Sequence, residues 1–315
     1  MKWIAVLAVV IFPFLAQAQH KQLVVAQDGS GDYTTVQSAV DAVPAFPENR
    51  IEIHIKNGTY KEKIVVSSWK TKISFIGEDK EKTILVWDDF SGKGDINTFN
   101  SYTVLVQGNE FRAENITFQN SAGPVGQAVA LHVEADRCVF TNCRIIGDQD
   151  TLYTGVGNSR QYYKDCYIEG TTDFIFGPAT AFFENCLIHC KKNSYITAAS
   201  TPQGQPYGYV FKNCTVTASP EATKVYLGRP WRPYAQTVFL NTNLGEFIRP
   251  EGWHNWKKPE AEKTAFYAEY KSTGPGAAPE KREPWSRQLK RKEAKKLSKP
   301  EVVLGGNDHW NPTKP

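Results

Sequence analysis

The sequence predicts an all-β chain wound as a single-stranded parallel β-helix, with a short helix capping its N-terminal end and a loop-and-helix tail after it. Three observations carry this. First, two segments repeat in register, Cys143-Arg-Ile-Ile-Gly147-Asp-Gln149-Asp150 and Cys166-Tyr-Ile-Glu-Gly170-Thr-Thr-Asp173, 23 residues apart. A fixed period of that size belongs to stacked coils, in which each repeat lies on the one before it. Second, short apolar runs recur from Ile51 to Thr217, among them Lys63–Val66, Tyr102–Val106, Val129–Val133 and Tyr195–Ala198. Gly, Asn and Asp punctuate them and no helical pattern intervenes, which excludes a doubly wound α/β fold. Third, one phrase closes four times on cysteine: Phe140-Thr-Asn-Cys143, Tyr163-Lys-Asp-Cys166, Phe183-Glu-Asn-Cys186 and Phe211-Lys-Asn-Cys214.

The chain opens on a charged Lys2, an apolar stretch from Ile4 to Leu15 and an Ala16-Gln17-Ala18 cleavage pattern. That is a secretory signal over residues 1–18, so the chain is expected to be exported, either secreted or periplasmic. The apolar run is short for a membrane span. The mature domain then runs over 19–315, with the coil itself at about 24–255. Val36, Ala39, Val40 and Val43 keep helical spacing. Thr34 and Gln37 read as a capping box, and Pro44 stops the helix. Such a helix would cover the open edge of the first coil. From Trp253 onward Pro, Gly and charge replace the alternation. Ser286 to Leu297 reads as a basic surface helix, with nine Lys and Arg residues between 281 and 299.

All 315 residues together carry a net charge of +4, and no nucleic-acid motif accompanies the basic segment. The six cysteines lie between Cys138 and Cys214. Export and an even count favour disulfides, but their repeated position favours a ladder of buried thiols. No metal-ligand spacing is present. Triplets at Asn57, Asn115 and Asn213 match a glycosylation acceptor, and two of them fall inside the strand repeat.

The chemistry is expected where the coils stack. Residues one coil apart are lateral neighbours at about 4.8 Å, so Asp150 and Asp173 should adjoin. Two carboxylates so close cannot ionise independently. Gln127 precedes Gln149 by 22 residues, about one coil, which puts both amides on the same face. Amide N–H groups suit an oxyanion, while one carboxylate can attack and its neighbour supply the proton. Arg229, in Leu227-Gly-Arg-Pro-Trp231, could hold one Asp ionised and leave the other protonated. Trp231 offers a stacking surface for a sugar ring.

Here the chain resembles the pectin methylesterases of carbohydrate esterase family 8. The resemblance lies in Gly58-Thr-Tyr-Lys-Glu62, Gln127-Ala-Val-Ala-Leu131, Gln149-Asp-Thr-Leu152, Asp173-Phe-Ile-Phe-Gly177 and Leu227-Gly-Arg-Pro-Trp231. Arg249-Pro-Glu-Gly-Trp253 and Asp28-Gly-Ser-Gly-Asp32 extend it to about Leu23–Pro312. It implies a right-handed coil and hydrolysis of methyl esters in homogalacturonan, with no metal or cofactor. It further implies that Asp173 is the nucleophile, Asp150 the general acid and base, Gln127 and Gln149 the oxyanion donors, and Arg229 the residue that orients Asp173. Thr98, Tyr153, Phe176 and Trp231 would line the cleft for a monomeric enzyme. A β-helical glycosidase or lyase is the rival reading. Paired carboxylates fit it, but an oxocarbenium-like transition state gives the two glutamines nothing to stabilise. A non-catalytic polysaccharide binder would explain Trp231 and leave the Asp pair idle.

Overall fold

A computed structural model describes residues 22–314. Three parallel sheets of eleven, eight and seven strands run the length of a right-handed coil. Each full turn gives one strand to each sheet. The central turn uses Arg160–Lys164, Tyr167–Gly170 and Ile175–Gly177. The turn before it uses Cys138–Thr141, Arg144–Ile146 and Leu152–Thr154. Gln161 pairs with Cys138, Ile168 with Ile145 and Ile175 with Leu152, so the predicted 23-residue register holds in all three sheets here. It does not hold throughout. Ala181 follows its partner Gln161 by 20 residues and Tyr209 follows Ala181 by 28. The strands stay aligned because inserted or deleted residues are confined to the turns, where no ladder hydrogen bond constrains the length.

The phrase that closes on cysteine explains the corner between the eleven- and eight-stranded sheets. Its aromatic residue points inward. Phe140, Tyr163, Phe183, Phe211 and Phe239 form a continuous stack with centroids 4.9, 4.8, 4.4 and 4.5 Å apart. Each such pair contributes about 0.5–1.5 kcal/mol beyond its burial. The Asn or Asp turns the chain: Asn115, Asn142, Asp165, Asn185, Asn213 and Asn241 all have φ between 49° and 58°. Asn and Asp tolerate this left-handed region better than other side chains. The acceptor-like triplets at Asn115 and Asn213 are therefore corner residues of the coil. The cysteine fills the inside of the corner. Its thiol faces the carbonyl of the coil beneath, as in Cys166 Sγ to Phe140 O and Cys186 Sγ to Tyr163 O, both 3.5 Å. Behind the corner, Ile145, Ile168, Ile188, Val216 and Leu244 stack in register through the core.

The N-terminal helix is Val36–Ala42 and buries Val36, Ala39 and Val40 against the first coil. Its cap differs from the expected Thr34–Gln37 box. Thr35 is the N-cap, accepting from Ser38 N. Gln37 instead donates to Asp41 and accepts from Val65 N. The box fails because a distant carboxylate takes its place. Glu62 accepts from Val36 N and Gln37 N, both at 2.9 Å, where an anion is favoured by the helix dipole. The Gly58–Glu62 motif thus serves the cap.

The C-terminal part also departs from expectation. The eleven-stranded sheet continues past residue 255 through Phe266–Tyr270 and Arg287–Gln288. The predicted helix from Ser286 shortens to Arg291–Leu297, followed by Pro300–Val303. Its first residues are drawn into strand pairing with Phe266–Tyr270. The tail covers an apolar stripe on the outside of the long sheet: Leu289, Ala294, Leu297, Val303 and Leu304 pack over Tyr162, Phe182, Val210 and Val238. Arg160 fastens it by bonding Asp136, Asp308 and the Leu304 carbonyl. The core continues past buried Trp253 to Tyr267 and Trp285, and an Arg282–Glu269 ion pair of 2.6 Å has both side chains 2 % exposed. No helix among the described residues is long and apolar enough to cross a membrane. The expected signal segment lies outside the described residues.

All six cysteines are buried and unpaired. Burial pushes the thiols of Cys138 and Cys190 upward and keeps them protonated. Titration of the denatured, unreduced protein with a thiol reagent should count close to six free thiols. A count near zero would restore the disulfide reading.

Candidate active site

The candidate site lies on the outer face of the seven-stranded sheet, where three coils meet. Gln127 and Gln149 form a parallel bridge, the 22-residue step expected of them. Three residues after Gln149, Leu152 pairs with Ile175, and this register makes Asp150 and Asp173 lateral neighbours. Both aspartates have left-handed backbones, with φ of 64° and 50°. Asp150 N donates to Thr172 O and Asp173 N to Tyr195 O, so both turns are tied to the following coil. The tight turn before Asp173 needs Gly170, since a Cβ there would collide with Phe174 and the Asp148 carbonyl.

Arg229 arrives from a coil further along. Thr197 pairs with Gly228, and Arg229 N donates to Thr197 O at 2.9 Å. A Cβ at Gly228 would strike Thr197 Oγ1, so the close approach that sets Arg229 in place requires glycine. Arg229 Nε and Nη2 donate to the two oxygens of Asp173 at 2.9 and 2.6 Å. This is a bidentate fork, and it fixes the carboxylate plane. Tyr195 and Trp256 lie over the guanidinium, 3.9 and 3.6 Å from ring centroid to Cζ.

Charge separates the two aspartates. Burial, and secondarily the charge of Asp173, pushes the Asp150 carboxyl well above its usual range; the charge of Arg229 opposes this. Asp150 has no basic partner within ion-pair distance among the described residues. Asp173 is also raised, because burial outweighs the two hydrogen bonds from Arg229. This corrects the expectation that Arg229 would lower the pKa of the Asp beside it. The fork limits the rise; it does not reverse it. The order of the two groups is as expected, with Asp150 the harder to ionise.

Gln127, Gln149, Asp150, Asp173 and Arg229 share one cleft of about 280 Å³ with Thr98, Phe176 and Trp231. Thr98 sits in a single helical turn, Thr98–Asn100, that rises beside the cleft. Tyr153 packs beside it, 4.8 Å from Phe176, and Phe176 is 6.0 Å from Trp231. Every residue singled out from sequence is thus in or beside this cleft. Phe99, Ala198, Tyr195 and Trp256 were not singled out. Tyr195 follows Asp173 by 22 residues, so the coil step that found the other residues also points to it. Trp256 had only its place three residues after Trp253 to mark it.

The pectinesterase family profile matches residues 22–306. Pectinesterase 31 of Arabidopsis thaliana is 45% identical over 288 residues, covering 88% of this chain and 90% of that protein. A probable pectinesterase/pectinesterase inhibitor of the same plant is 39% identical over 93% of this chain, which spans 45% of its length. Pectin methylesterase from carrot superposes with a TM-score of 0.87 at 36% identity, covering 93% of this chain and 96% of that one. A pectin methylesterase from Erwinia chrysanthemi gives 0.79 at 31%, covering 94% and 98%. With the family profile spanning nearly the whole described chain and a coil that overlays the carrot enzyme, the chain belongs to the pectinesterases, hydrolases that act on pectin.

Proposed function

We propose that the cleft binds methyl-esterified homogalacturonan and releases methanol through an acyl-enzyme on Asp173. The observation that carries this is the Asp173 carboxylate, oriented by Arg229, beside a buried Asp150 that has no cation of its own. Asp173 is the nucleophile: one oxygen attacks the ester carbonyl carbon. The oxyanion that forms is met by the side-chain amides of Gln127 and Gln149. Asp150, protonated, gives its proton to the departing methoxide as the carbon–oxygen bond breaks. The product is a mixed anhydride between Asp173 and the galacturonate. Asp150, now ionised, takes a proton from water, which attacks the anhydride. The bond to Asp173 breaks, the free uronic acid leaves, and Asp150 is again protonated. Trp231, Phe176, Tyr153 and Thr98 supply the surface along which the sugars lie. A structure of a related pectin methylesterase mutant in complex with a hexasaccharide supports a cleft built for a chain of sugars. The N-terminal sequence supports export.

Asp173→Asn should abolish methanol release, since an amide does not attack the ester. Asp150→Asn should be nearly as severe, because both proton transfers fail. Gln127→Ala should cost about 10²–10³ in kcat, the usual effect of one lost oxyanion donor. Methanol and reducing ends should be followed together on methylated pectin. Normal methanol release by Asp173→Asn would sink the assignment, and new reducing ends would indicate a glycosidase.

The pH profile follows from the same pair. Activity needs Asp173 ionised and Asp150 protonated. Asp173 is raised, so the acid limb of kcat/KM should fall above the ordinary Asp value of about 3.9. Asp150 is raised further, so its ionisation should set the alkaline limb. An acid midpoint below that of a free Asp would show that the Arg229 fork, and not burial, controls Asp173.

Stability should follow the alkaline limb of activity, since both need Asp150 protonated. The folded-state pKa of Asp150 is raised, so its contribution is complete below the unfolded value and is lost as pH rises through the folded one. Between pH 4 and 8 the melting temperature of Asp150→Asn should therefore fall less than that of the wild type. Parallel melting curves for the two proteins would contradict the buried, neutral state of Asp150.

A further inference from the structure

The guanidinium that orients Asp173 is clamped on both faces, and one jaw of the clamp is a strained residue. Trp256 has φ of 55°, and Lys257 after it has φ of 56°. A bulky residue in the left-handed region is a rare and costly conformation that persists only where its surroundings enforce it. Two consecutive ones form the tip of a loop between Trp253 and the helical turn Pro259–Lys263. Three groups hold that tip. Lys258 Nζ donates to Trp231 O at 3.1 Å. Asn255 Oδ1 accepts from Lys257 N at 2.8 Å, and its amide donates to Glu262 at 2.7 Å. The third is His254, whose Nδ1 lies 3.0 Å from Trp256 N.

This last contact settles a proton. A backbone N–H only donates, so Nδ1 of His254 must present its lone pair. His254 itself is anchored beside the site, because its N–H donates to Gly228 O at 3.1 Å, one residue before Arg229. Its ring rests on Tyr195 and Tyr226, at 5.4 and 5.3 Å between centroids. Tyr195 is also the other jaw of the clamp. One imidazole therefore touches the Tyr195 side of Arg229 and holds the backbone of the Trp256 side.

We propose that His254 is a positioning residue for the esterase reaction, acting through its Nδ1 lone pair to seat Trp256 on Arg229 and so to fix the fork that holds Asp173. The inference rests on the reading that Arg229 orients a nucleophilic Asp173. It assigns His254 no contact with substrate. Protonation would turn Nδ1 into a donor facing another donor and would release the Trp256 backbone. The charged groups around the ring are Arg229, Arg249 and Lys257, all cationic; with burial, the larger cause, they hold the imidazole below its usual pKa and keep the acceptor available. The rings of Tyr195 and Tyr226 also face it.

Two substitutions separate the acceptor from the ring. His254→Phe keeps a ring against Tyr195 and Tyr226 and loses the lone pair. His254→Asn loses the ring but keeps an acceptor, since an Asn oxygen bonds readily to the N–H two residues on, and it does not titrate. Methanol release from methylated pectin should show kcat reduced about ten- to a hundredfold in His254→Phe, the scale of a small misplacement of catalytic groups. In His254→Asn, kcat should return close to the wild-type value, with a shallower acid limb because one titrating group is gone. Wild-type kcat in His254→Phe, or an equal loss in both variants at unchanged melting temperature, would overturn the proposal. Asp173→Asn run alongside keeps the two levels apart. If it releases methanol normally, the reading of Arg229 and Asp173 fails; if it is inactive while His254→Phe has wild-type kcat, only the role of His254 fails.

Discussion

Lateral register between successive coils is the constraint on which everything else depends. In a parallel stack each residue lies on its counterpart from the turn before, so like falls on like. Inside the coil this is favourable without further provision. Phe140 to Phe239 stack ring on ring, and Ile145 to Leu244 stack methyl on methyl. On the outer face the same rule sets carboxylate beside carboxylate at Asp150 and Asp173, which is unfavourable in isolation. The interior ladders supply the stability, and the site draws on it. Small losses inside, of about 2–5 kcal/mol for an Ile168→Ala type of truncation, would therefore reach the site through register before they reached it through contact.

Burial is what makes the carboxylate pair useful. In water two aspartates at strand spacing would both ionise near pH 4 and repel weakly. Here both are nearly covered, at 8 and 6 % exposure, and the cost of a buried charge raises both. One cation, Arg229, then breaks the symmetry. It reaches Asp173 with two hydrogen bonds and reaches Asp150 with none. The same geometry explains the left-handed backbone at both positions: the side chains project from turn tips, where an Asp is tolerated and where the neighbouring strands leave room for a substrate.

The corner phrase shows why the fold was so legible in the sequence. Each of its residue types does something physically distinct. The aromatic stacks, the Asn or Asp turns the corner, and the cysteine fills it. Such a phrase is visible without a structure because the same corner recurs at every coil. Gln127, Gln149, Asp150 and Asp173 were found by the same stepping rule. What stayed hidden lacks a repeat. The helix start is also held by Glu62, which bonds Val36 N from 26 residues further along the chain. The pairing of Arg287–Gln288 with Phe266–Tyr270 is too short to show as alternation and lies within the basic segment that reads as helix. Trp256 comes from a loop with no counterpart in the other coils. The balance of burial against Arg229 at Asp173 escapes the sequence for a related reason: sequence shows who is near, and not how much water is excluded.

Arg229 is 56 residues from Asp173 in sequence yet only two coils away in space. That distance has a consequence for how the roles of the aspartates are assigned. A cation on the coil of Asp150, or on the one before it, would face that carboxylate instead, with no change to the pair itself. In the proposed mechanism, the coil on which the cation falls therefore decides which aspartate attacks and which gives the proton. It is then kept by whatever holds the guanidinium in its plane. The tight Gly228–Thr197 contact fixes the backbone of Arg229, and the rings of Tyr195 and Trp256 fix its side chain. Chemistry that is symmetric by register becomes directional through contacts that the register does not repeat.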